Sequence, residues 1–122
     1  MSICRGIRGA TTTEYNSREA ILEATTELLQ ELVKANDILR DHVAAVWFTT
    51  TSDLNAEFPA VAARKMGWSG VALLCGHEMQ IPDGTPSCIR VLVLLNTDKT
   101  LDELNHVYLR GAKNLLDRGM DS

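Results

Sequence analysis

The sequence predicts an α+β fold, a mixed five-stranded sheet with one long helix on one face. Short apolar runs rich in β-branched residues indicate five strands, and residues 88–95 form the most apolar of them. A single long stretch, residues 17–36, carries apolar side chains at helical spacing. One helix cannot cover both faces of so apolar a sheet, so we expect the other face to pack against another copy of the chain.

Length and charge restrict the class of protein. A chain of 122 residues is long enough to bury one core, and we predict a single domain, 1–122, with a tail at 110–122 whose glycines and mixed charge favour mobility. The net charge of -4 argues against broad attraction to nucleic acid or to anionic membranes. The start has no secretory signal pattern and no stretch is apolar enough to span a bilayer, so a cytoplasmic protein is expected.

The three cysteines, Cys4, Cys75 and Cys88, form no CxxC pair and lie in or beside apolar runs. Their odd number and their surroundings favour free, buried thiols in a reducing compartment over disulfides. Cys75 and His77 could both ligate a metal, but no second pair of ligands matches them. No metal site is therefore expected.

Arg90 interrupts the most apolar strand and is the anomaly of the sequence. A strand with this composition is normally covered on both faces. A lone buried charge costs several kcal/mol, so the guanidinium must reach solvent, pair with a carboxylate of the protein or meet an anionic ligand. The pattern leaves these three options open.

The first strand is predicted at residues 3–11. Under the two-residue period of a strand, Arg5 and Arg8 point to opposite faces. Gly6 and Gly9 weaken a plain strand and allow close approach to the backbone. The pattern alone favours an edge strand with solvated arginines.

The long helix is predicted to begin at Asn16. Asn16 is a candidate cap, and Glu19 follows three residues later as in a capping box. The helix is expected to end near Asn36, because asparagine tolerates the left-handed conformation of a C-terminal cap. Its polar face indicates solvation only.

The remaining segments alternate between strands and short helices. Arg64 falls on the last turn of a short helix that follows Pro59, where it either complements the helix dipole or contacts a ligand. The other predicted elements are strands at 42–51, 71–75 and 106–109, a mobile loop at 80–87 and a short helix at 101–104.

The residues able to do chemistry are mostly cationic. The sequence contains no GxSxG, P-loop, HExxH or GxGxxG motif, and Cys75 lacks the context of a nucleophile. What remains is a group of arginines, one carboxylate after a strand and one phenol, namely Arg5, Arg8, Arg64, Arg90, Glu78 and Tyr108. This set suits the binding of a small anion that carries hydroxyl groups.

Four segments in this order resemble the small trimeric α/β type of chorismate mutase: residues 5–12, 53–60, 88–91 and 96–109. The resemblance spans about residues 3–109. It implies an isomerase of aromatic amino acid biosynthesis that converts chorismate to prephenate without cofactor or metal. It also implies a homotrimer with a barrel-like core and with active sites in the clefts between subunits.

The resemblance assigns catalytic roles to three residues. The reaction is a pericyclic rearrangement in which an ether C–O bond breaks as a C–C bond forms. Arg90 is implied as the cation that stabilises charge developing on the ether oxygen. Arg8 is implied as the partner of a substrate carboxylate, and Glu78 as the acceptor for the ring hydroxyl.

Further residues are implied to line the cleft: Tyr108, Cys75, Arg64, Phe58 and Leu74. Phe58 and Arg64 are expected to come from the adjacent subunit. The family's tail arginine has no match in this chain, and the hypothesis is that Lys113 or Arg118 partly replaces it.

Two other functions compete with this reading. The first is a non-catalytic oligomer that binds a small anion or regulates a partner, since a fold does not determine a function. The second is a small trimeric deaminase of reactive imines, for which Glu78 is the candidate to activate water. The combination of Arg90 and Glu78 favours the mutase, because a pure binder has no need of a cation aimed at a neutral ether.

Overall fold

The computed structural model describes residues 2–117, and within that range five strands form one mixed sheet. The strands are β1 (Ile3–Thr12), β2 (Val43–Thr50), β3 (Ala72–His77), β4 (Cys88–Thr97) and β5 (Val107–Tyr108). They lie in the order β3-β2-β4-β1-β5. The β4 strand is antiparallel to both of its neighbours, whereas β2 with β3 and β1 with β5 are parallel pairs. The predicted mixed five-stranded sheet is thus confirmed.

The apolar strand β4 occupies the centre of the sheet. Its alternate residues Ile89, Val91, Val93 and Leu95 are buried, while Arg90, Leu92 and Leu94 on the opposite face are half-buried. One face of β4 is therefore buried and the other only half-buried, as expected when a single layer of helices packs on one face of a sheet.

The helices α1 (Arg18–Asn36) and α2 (Ala60–Lys65) pack on one face of the sheet. Leu28, Leu29 and Leu32 of α1 join Phe48 and other sheet residues in the main core. The core is built on this face because the apolar stripe of the helix meets the inward residues of the strands.

Gly9 permits the closest approach of α1 to the sheet. A Cβ atom at this position would lie 2.9 Å from Leu32 Cδ1 and 3.1 Å from Leu28 Cδ1. We expect Gly9→Ala to lower the free energy of unfolding by about 1–3 kcal/mol, because the added methyl overpacks the interface. Urea unfolding measures this change. Gly70→Ala is the matched control, since its Cβ would meet nothing within 4 Å and its stability should stay near that of the native chain.

The structure corrects the predicted caps of the long helix. Ser17, not Asn16, is the N-terminal cap, and its hydroxyl accepts a hydrogen bond from the Ala20 N–H. Asp37, not Asn36, takes the left-handed conformation at the other end, with φ 52°. Both predictions missed by one residue because side-chain preferences do not distinguish neighbouring polar residues.

Asn36 has a different role from the predicted cap. It is buried, and its side chain donates to Leu32 O and Asn105 O and accepts from the Asn105 N–H. Asn36 thereby ties the end of α1 to the segment that leads into β5.

The first strand is not an edge strand, contrary to the prediction from its pattern. β1 pairs with β4 along its length, and Gly9 and Ala10 pair with Val107 and Tyr108 of the two-residue β5. The sequence signal of β5 was too short to show that β1 has a second neighbour.

The last described segment covers one corner of the second sheet face. Residues 110–117 form a 3-10 turn (Arg110–Lys113) and the short helix α3 (Asn114–Asp117), and another 3-10 turn (Leu101–Glu103) stands at the predicted short helix. Ala112 and Leu115 are buried against Ala10 and Cys88. Lys113 is exposed. Arg118 and the rest of the predicted tail lie outside the described residues.

The remainder of the second face is open in a single chain. We call it the open face, and it is formed by Ala45, Trp47, Leu74, Leu92 and Leu94. Trp47 is 49% exposed and Leu74 is 55% exposed, although both lie on strands of the sheet. An apolar sheet face of this kind normally has a partner.

Cys4, Cys75 and Cys88 all lie in the described part of the chain, and none of them is in a disulfide. Cys88 is buried and Cys75 is partly buried. Cys4 is exposed, so the expectation that all three thiols are buried was wrong for this residue. It lies near the start of β1, beyond the part of that strand that the helix covers.

Candidate active site

Strand register places three predicted site residues on the second face of the sheet. Arg90 stands opposite Thr49 of β2 and Ala10 of β1, and Ala10 in turn stands opposite Tyr108 of β5. Arg8 lies in the adjacent row, opposite Leu92. Cross-strand neighbours on one face are the pairs whose side chains interact in a sheet. The register therefore assembles a cationic group at one end of the open face.

Arg90 pairs with Glu78. Of the three options that the sequence left open, the structure shows the pairing with a carboxylate of the protein. Arg90 Nη1 donates to Glu78 Oε2 at 2.7 Å, and the Thr49 hydroxyl donates to the same oxygen at 2.7 Å. Both charged side chains are about one-third exposed, at 33% and 27%. The pair is thus rigid and charge-assisted yet still accessible from the cavity beside it.

Glu78 owes its position to the end of β3. Its backbone N–H donates to Thr50 O at 2.8 Å, one residue after the strand itself ends at His77. This bond prolongs the pairing of β3 with β2. It turns the carboxylate towards Arg90 on the central strand.

Arg8, Glu78 and Arg90 line one cavity of about 340 Å³. Trp47, Thr49 and Leu92 also line it. A cavity with an apolar wall and a few convergent charges suits a small ligand. Trp47 and Thr49 were missed by the sequence analysis, because only the register of β2 against β4 shows that they flank Arg90.

His106 fixes the backbone of Arg8. The Arg8 N–H donates to His106 Nδ1 at 2.9 Å, just before β5 begins at Val107. The imidazole takes the place of the backbone acceptor that a longer β5 would supply. Because Nδ1 accepts this bond, the neutral ring carries its proton on Nε2.

A second group of predicted residues lies apart from this cavity. Phe58 and Cys75 line another cavity of about 360 Å³, together with Thr50, Glu57, His77 and neighbouring residues. Burial raises the pKa of the Cys75 thiol, while the Ala60 N–H and the Arg64 charge act in the opposite direction. Arg64 is exposed on the last turn of α2. Within one chain, Phe58, Cys75 and Arg64 do not line the cavity of Arg8, Glu78 and Arg90.

Tyr108 and Leu74 lie at opposite edges of the sheet. Tyr108 is in β5 and packs against the cluster of Ala10, Cys88, Ala112 and Leu115. Leu74 is in the edge strand β3 and is exposed on the open face. Neither lines the cavity of Arg90 in a single chain.

Comparison with known proteins decides the family. The model of the family described as chorismate mutase type I matches residues 4–118. The chain belongs to the chorismate mutase type I family. Membership confirms the predicted activity, the isomerisation of chorismate to prephenate in aromatic amino acid biosynthesis.

Relatives and a solved structure agree with the chorismate mutase assignment. Chorismate mutase AroH of Thermus thermophilus is 50% identical over 112 residues, covering 91% of this chain and 92% of the relative. Chorismate mutase AroH of Bacillus subtilis is 42% identical over 106 residues, covering 86% and 84%. The structure of a chorismate mutase from Clostridium thermocellum superposes with a TM-score of 0.88 at 45% identity, covering 89% of this chain and 97% of that one.

No described helix is long and apolar enough to cross a membrane. Residues 2–117 contain no cluster of three or more His, Cys, Asp or Glu side chains arranged to hold a metal ion. The cytoplasmic location stays a prediction.

Proposed function

We propose that chorismate is rearranged in a site shared by two subunits of a homotrimer. One subunit supplies Arg8, Glu78 and Arg90, and its neighbour supplies Phe58, Arg64 and Cys75. The observation that supports this division is that Phe58 and Cys75 line a cavity that shares no lining residue with the cavity of Arg8, Glu78 and Arg90 in the described chain. Arg64 lines neither cavity and is exposed on the last turn of α2. A single small substrate contacts both groups only if two copies meet.

The open face supports the oligomer. Its apolar side chains continue directly into the cavity of Arg90, since Trp47 and Leu92 belong to both. A second copy seated on this face would bury Trp47 and Leu74, and burial of apolar area stabilises by about 25 cal/mol per Å². The same contact would close the cavity, which excludes water from the charged groups and strengthens their electrostatics.

Arg90 is proposed to act on the transition state. As the ether C–O bond lengthens, its oxygen becomes electron-rich, and a fixed guanidinium there stabilises the transition state more than the ground state. The ion pair with Glu78 holds the guanidinium in place before substrate arrives, so little reorganisation is needed during the reaction. No proton transfer and no nucleophile is required.

Glu78 and Arg8 are proposed to hold the two other polar parts of the substrate. The carboxylate of Glu78 accepts from the ring hydroxyl, where partial positive charge develops on the ring. The planar fork of Arg8 suits a substrate carboxylate. Binding the side-chain carboxylate and the ring hydroxyl at once selects the compact conformer, in which the carbons that must bond are close.

Turnover by the purified chain is the first test. Chorismate loses its ultraviolet absorbance as prephenate forms, so the decay can be followed continuously without coupling enzymes. We expect saturable decay with prephenate as the single product. Tight binding of chorismate without turnover would instead support the non-catalytic anion-binding oligomer.

Mixing two variants tests the shared site. Arg90→Ala and Arg64→Ala are each expected to lose most of the activity. Chains refolded together should recover about a quarter of the native activity per site, because random assembly places an intact Arg90 beside an intact Arg64 in that fraction of interfaces.

The matched control mixes Arg90→Ala with Arg8→Ala. Both residues belong to the same half of the site. Every chain in the mixed trimers lacks one of them, so no site is complete and no activity should return. Recovery in the control, or none in the first mixture, would contradict the division between subunits. An Arg64→Ala enzyme with full activity would contradict it as well.

A further inference from the structure

Asp53 links two segments that end beside the catalytic pair. Its Oδ2 accepts from the Ser87 N–H at 2.9 Å and from the Ser87 hydroxyl at 3.3 Å. Its Oδ1 accepts from the Thr51 hydroxyl. The same Thr51 oxygen accepts from the Cys88 N–H at 3.0 Å. One carboxylate thus joins the end of β2 to the beginning of β4.

These two segments hold both ends of the loop between β3 and β4. At one end, the Glu78 N–H donates to Thr50 O at 2.8 Å. At the other, Ser87 and Cys88 are bound by Asp53 and Thr51, two residues before Arg90. The Asp53 network therefore lies between the two strand ends from which Glu78 and Arg90 are presented to the cavity.

Ser87 needs such an anchor. Its φ is 50°, a left-handed conformation that is uncommon for residues other than glycine and is kept only where surrounding bonds fix it. Besides the two bonds to Asp53, the Ser87 carbonyl accepts from the Thr13 N–H at 3.0 Å. The first residue before β4 is thus held on both sides.

The electrostatics of Asp53 agree with a fixed anionic acceptor. Burial raises the pKa of Asp53, but the hydrogen bonds from Thr51 and Ser87 outweigh it, and the net pKa lies below its usual value. The carboxylate is ionised at neutral pH, and bonds to an ionised acceptor are roughly twice as strong as neutral ones.

We propose that Asp53 is a positioning residue for catalysis, which holds the start of β4 so that Arg90 meets Glu78 in the geometry required at the ether oxygen. This inference rests on the proposed function of Arg90. Asp53 itself lies outside the cavity of Arg8, Glu78 and Arg90 and acts through the strand end rather than by contact with substrate.

Asp53→Ala tests the proposal. We expect kcat to fall about tenfold to hundredfold, because a displacement of the order of 1 Å at a reacting group costs that much. KM should change less than threefold, since Arg8 is held separately by His106. Prephenate titration by calorimetry counts competent sites per chain, so that kcat is expressed per folded site. Asp53→Asn, which keeps one acceptor oxygen, should recover part of the loss.

A double-mutant cycle with Arg90→Lys separates positioning from a general loss of structure. If Asp53 acts through Arg90, the penalty of Asp53→Ala should shrink at least threefold in the Arg90→Lys background. If Asp53 only stabilises the fold, the two penalties should multiply. Asp41→Ala is the matched control, a carboxylate that is 81% exposed on the surface, and it should leave kcat unchanged.

The outcomes are distinguishable. A kcat per site equal to that of the native chain in Asp53→Ala, or penalties that multiply in the cycle, would overturn the proposal while the proposed function stands. If Arg90→Lys alone keeps native turnover, the proposed role of Arg90 fails, and the inference about Asp53 fails with it. If Asp53→Ala lowers kcat per site and the penalties of the two substitutions do not multiply, the results support the proposed roles of both Asp53 and Arg90.

Discussion

Arg90→Lys should lower kcat by about 100- to 1000-fold, which corresponds to roughly 3–4 kcal/mol of transition-state stabilisation. Lysine keeps the positive charge but loses the planar fork, so it cannot hold Glu78 and face the ether oxygen in the same geometry. The 2.7 Å bond from Arg90 to Glu78 is the contact that orients the native guanidinium. KM should change much less than kcat, because the ether charge is absent in the ground state.

The decay of chorismate absorbance at saturating substrate measures this change. Circular dichroism and sedimentation should show a native fold and assembly, since Arg90 is only half-buried at the edge of a cavity. Arg40→Lys provides the control for the chemical change itself, because Arg40 is exposed and forms its ion pair with Asp41 away from the cavity. Near-native turnover by Arg90→Lys would refute the electrostatic role.

Much of the fold was predictable because the local patterns agree with the tertiary structure. The apolar run at residues 88–95 indicated a strand, and the strand β4 does include it. The strands have more apolar surface than a single helix can cover, and this predicted an uncovered face. Trp47 and Leu74 are exposed on that face. Consistency between local and global preferences makes such predictions possible.

What the patterns missed depends on register. A sequence shows which side chains share a face of one strand, but not which residue of the next strand stands opposite. Thr49 and Trp47 therefore give no sign in the sequence that they flank Arg90. The pattern of β1 favours an edge strand because its neighbour β5 has only two residues. Ser17 and Asp37 were missed as caps for a smaller reason, a shift of one residue among adjacent polar side chains.

The same limit applies to the candidate site, because a sequence names its residues without showing which of them lie together. The resemblance named Arg8, Glu78 and Arg90, and the structure brings them into one cavity. It also named Phe58 and Cys75, which line a separate cavity in a single chain, and Arg64, which is exposed on the last turn of α2. Nothing in one sequence states which copy of the chain a side chain serves, so assignment of the two halves to different subunits stays a prediction.

Leu94→Asp should abolish assembly and, with it, more than 99% of the activity, since a carboxylate buried at an interface without a partner costs several kcal/mol. Leu94 lies in the middle of the open face, opposite Ala45 and Gly6, and lines neither of the two cavities of the proposed site. The isolated chain should still fold, because the core on the helix face is untouched. Sedimentation velocity and the turnover of chorismate measure the two effects on one sample.

The circular dichroism of a dilute sample of that variant decides between an interface and a folding defect. If Leu94→Asp only weakens the contact between copies, the dilute chain should keep the native spectrum, and turnover per chain should rise as the protein is concentrated, because mass action restores the complete site. A folding defect gives an unfolded spectrum in the dilute sample, even where concentration also restores turnover. Leu101→Asp, an equally drastic change at an exposed leucine of the 3-10 turn before β5, should remain assembled and active. A Leu94→Asp chain that sediments as the native protein does and turns over at its rate would show that the open face is not where the copies meet.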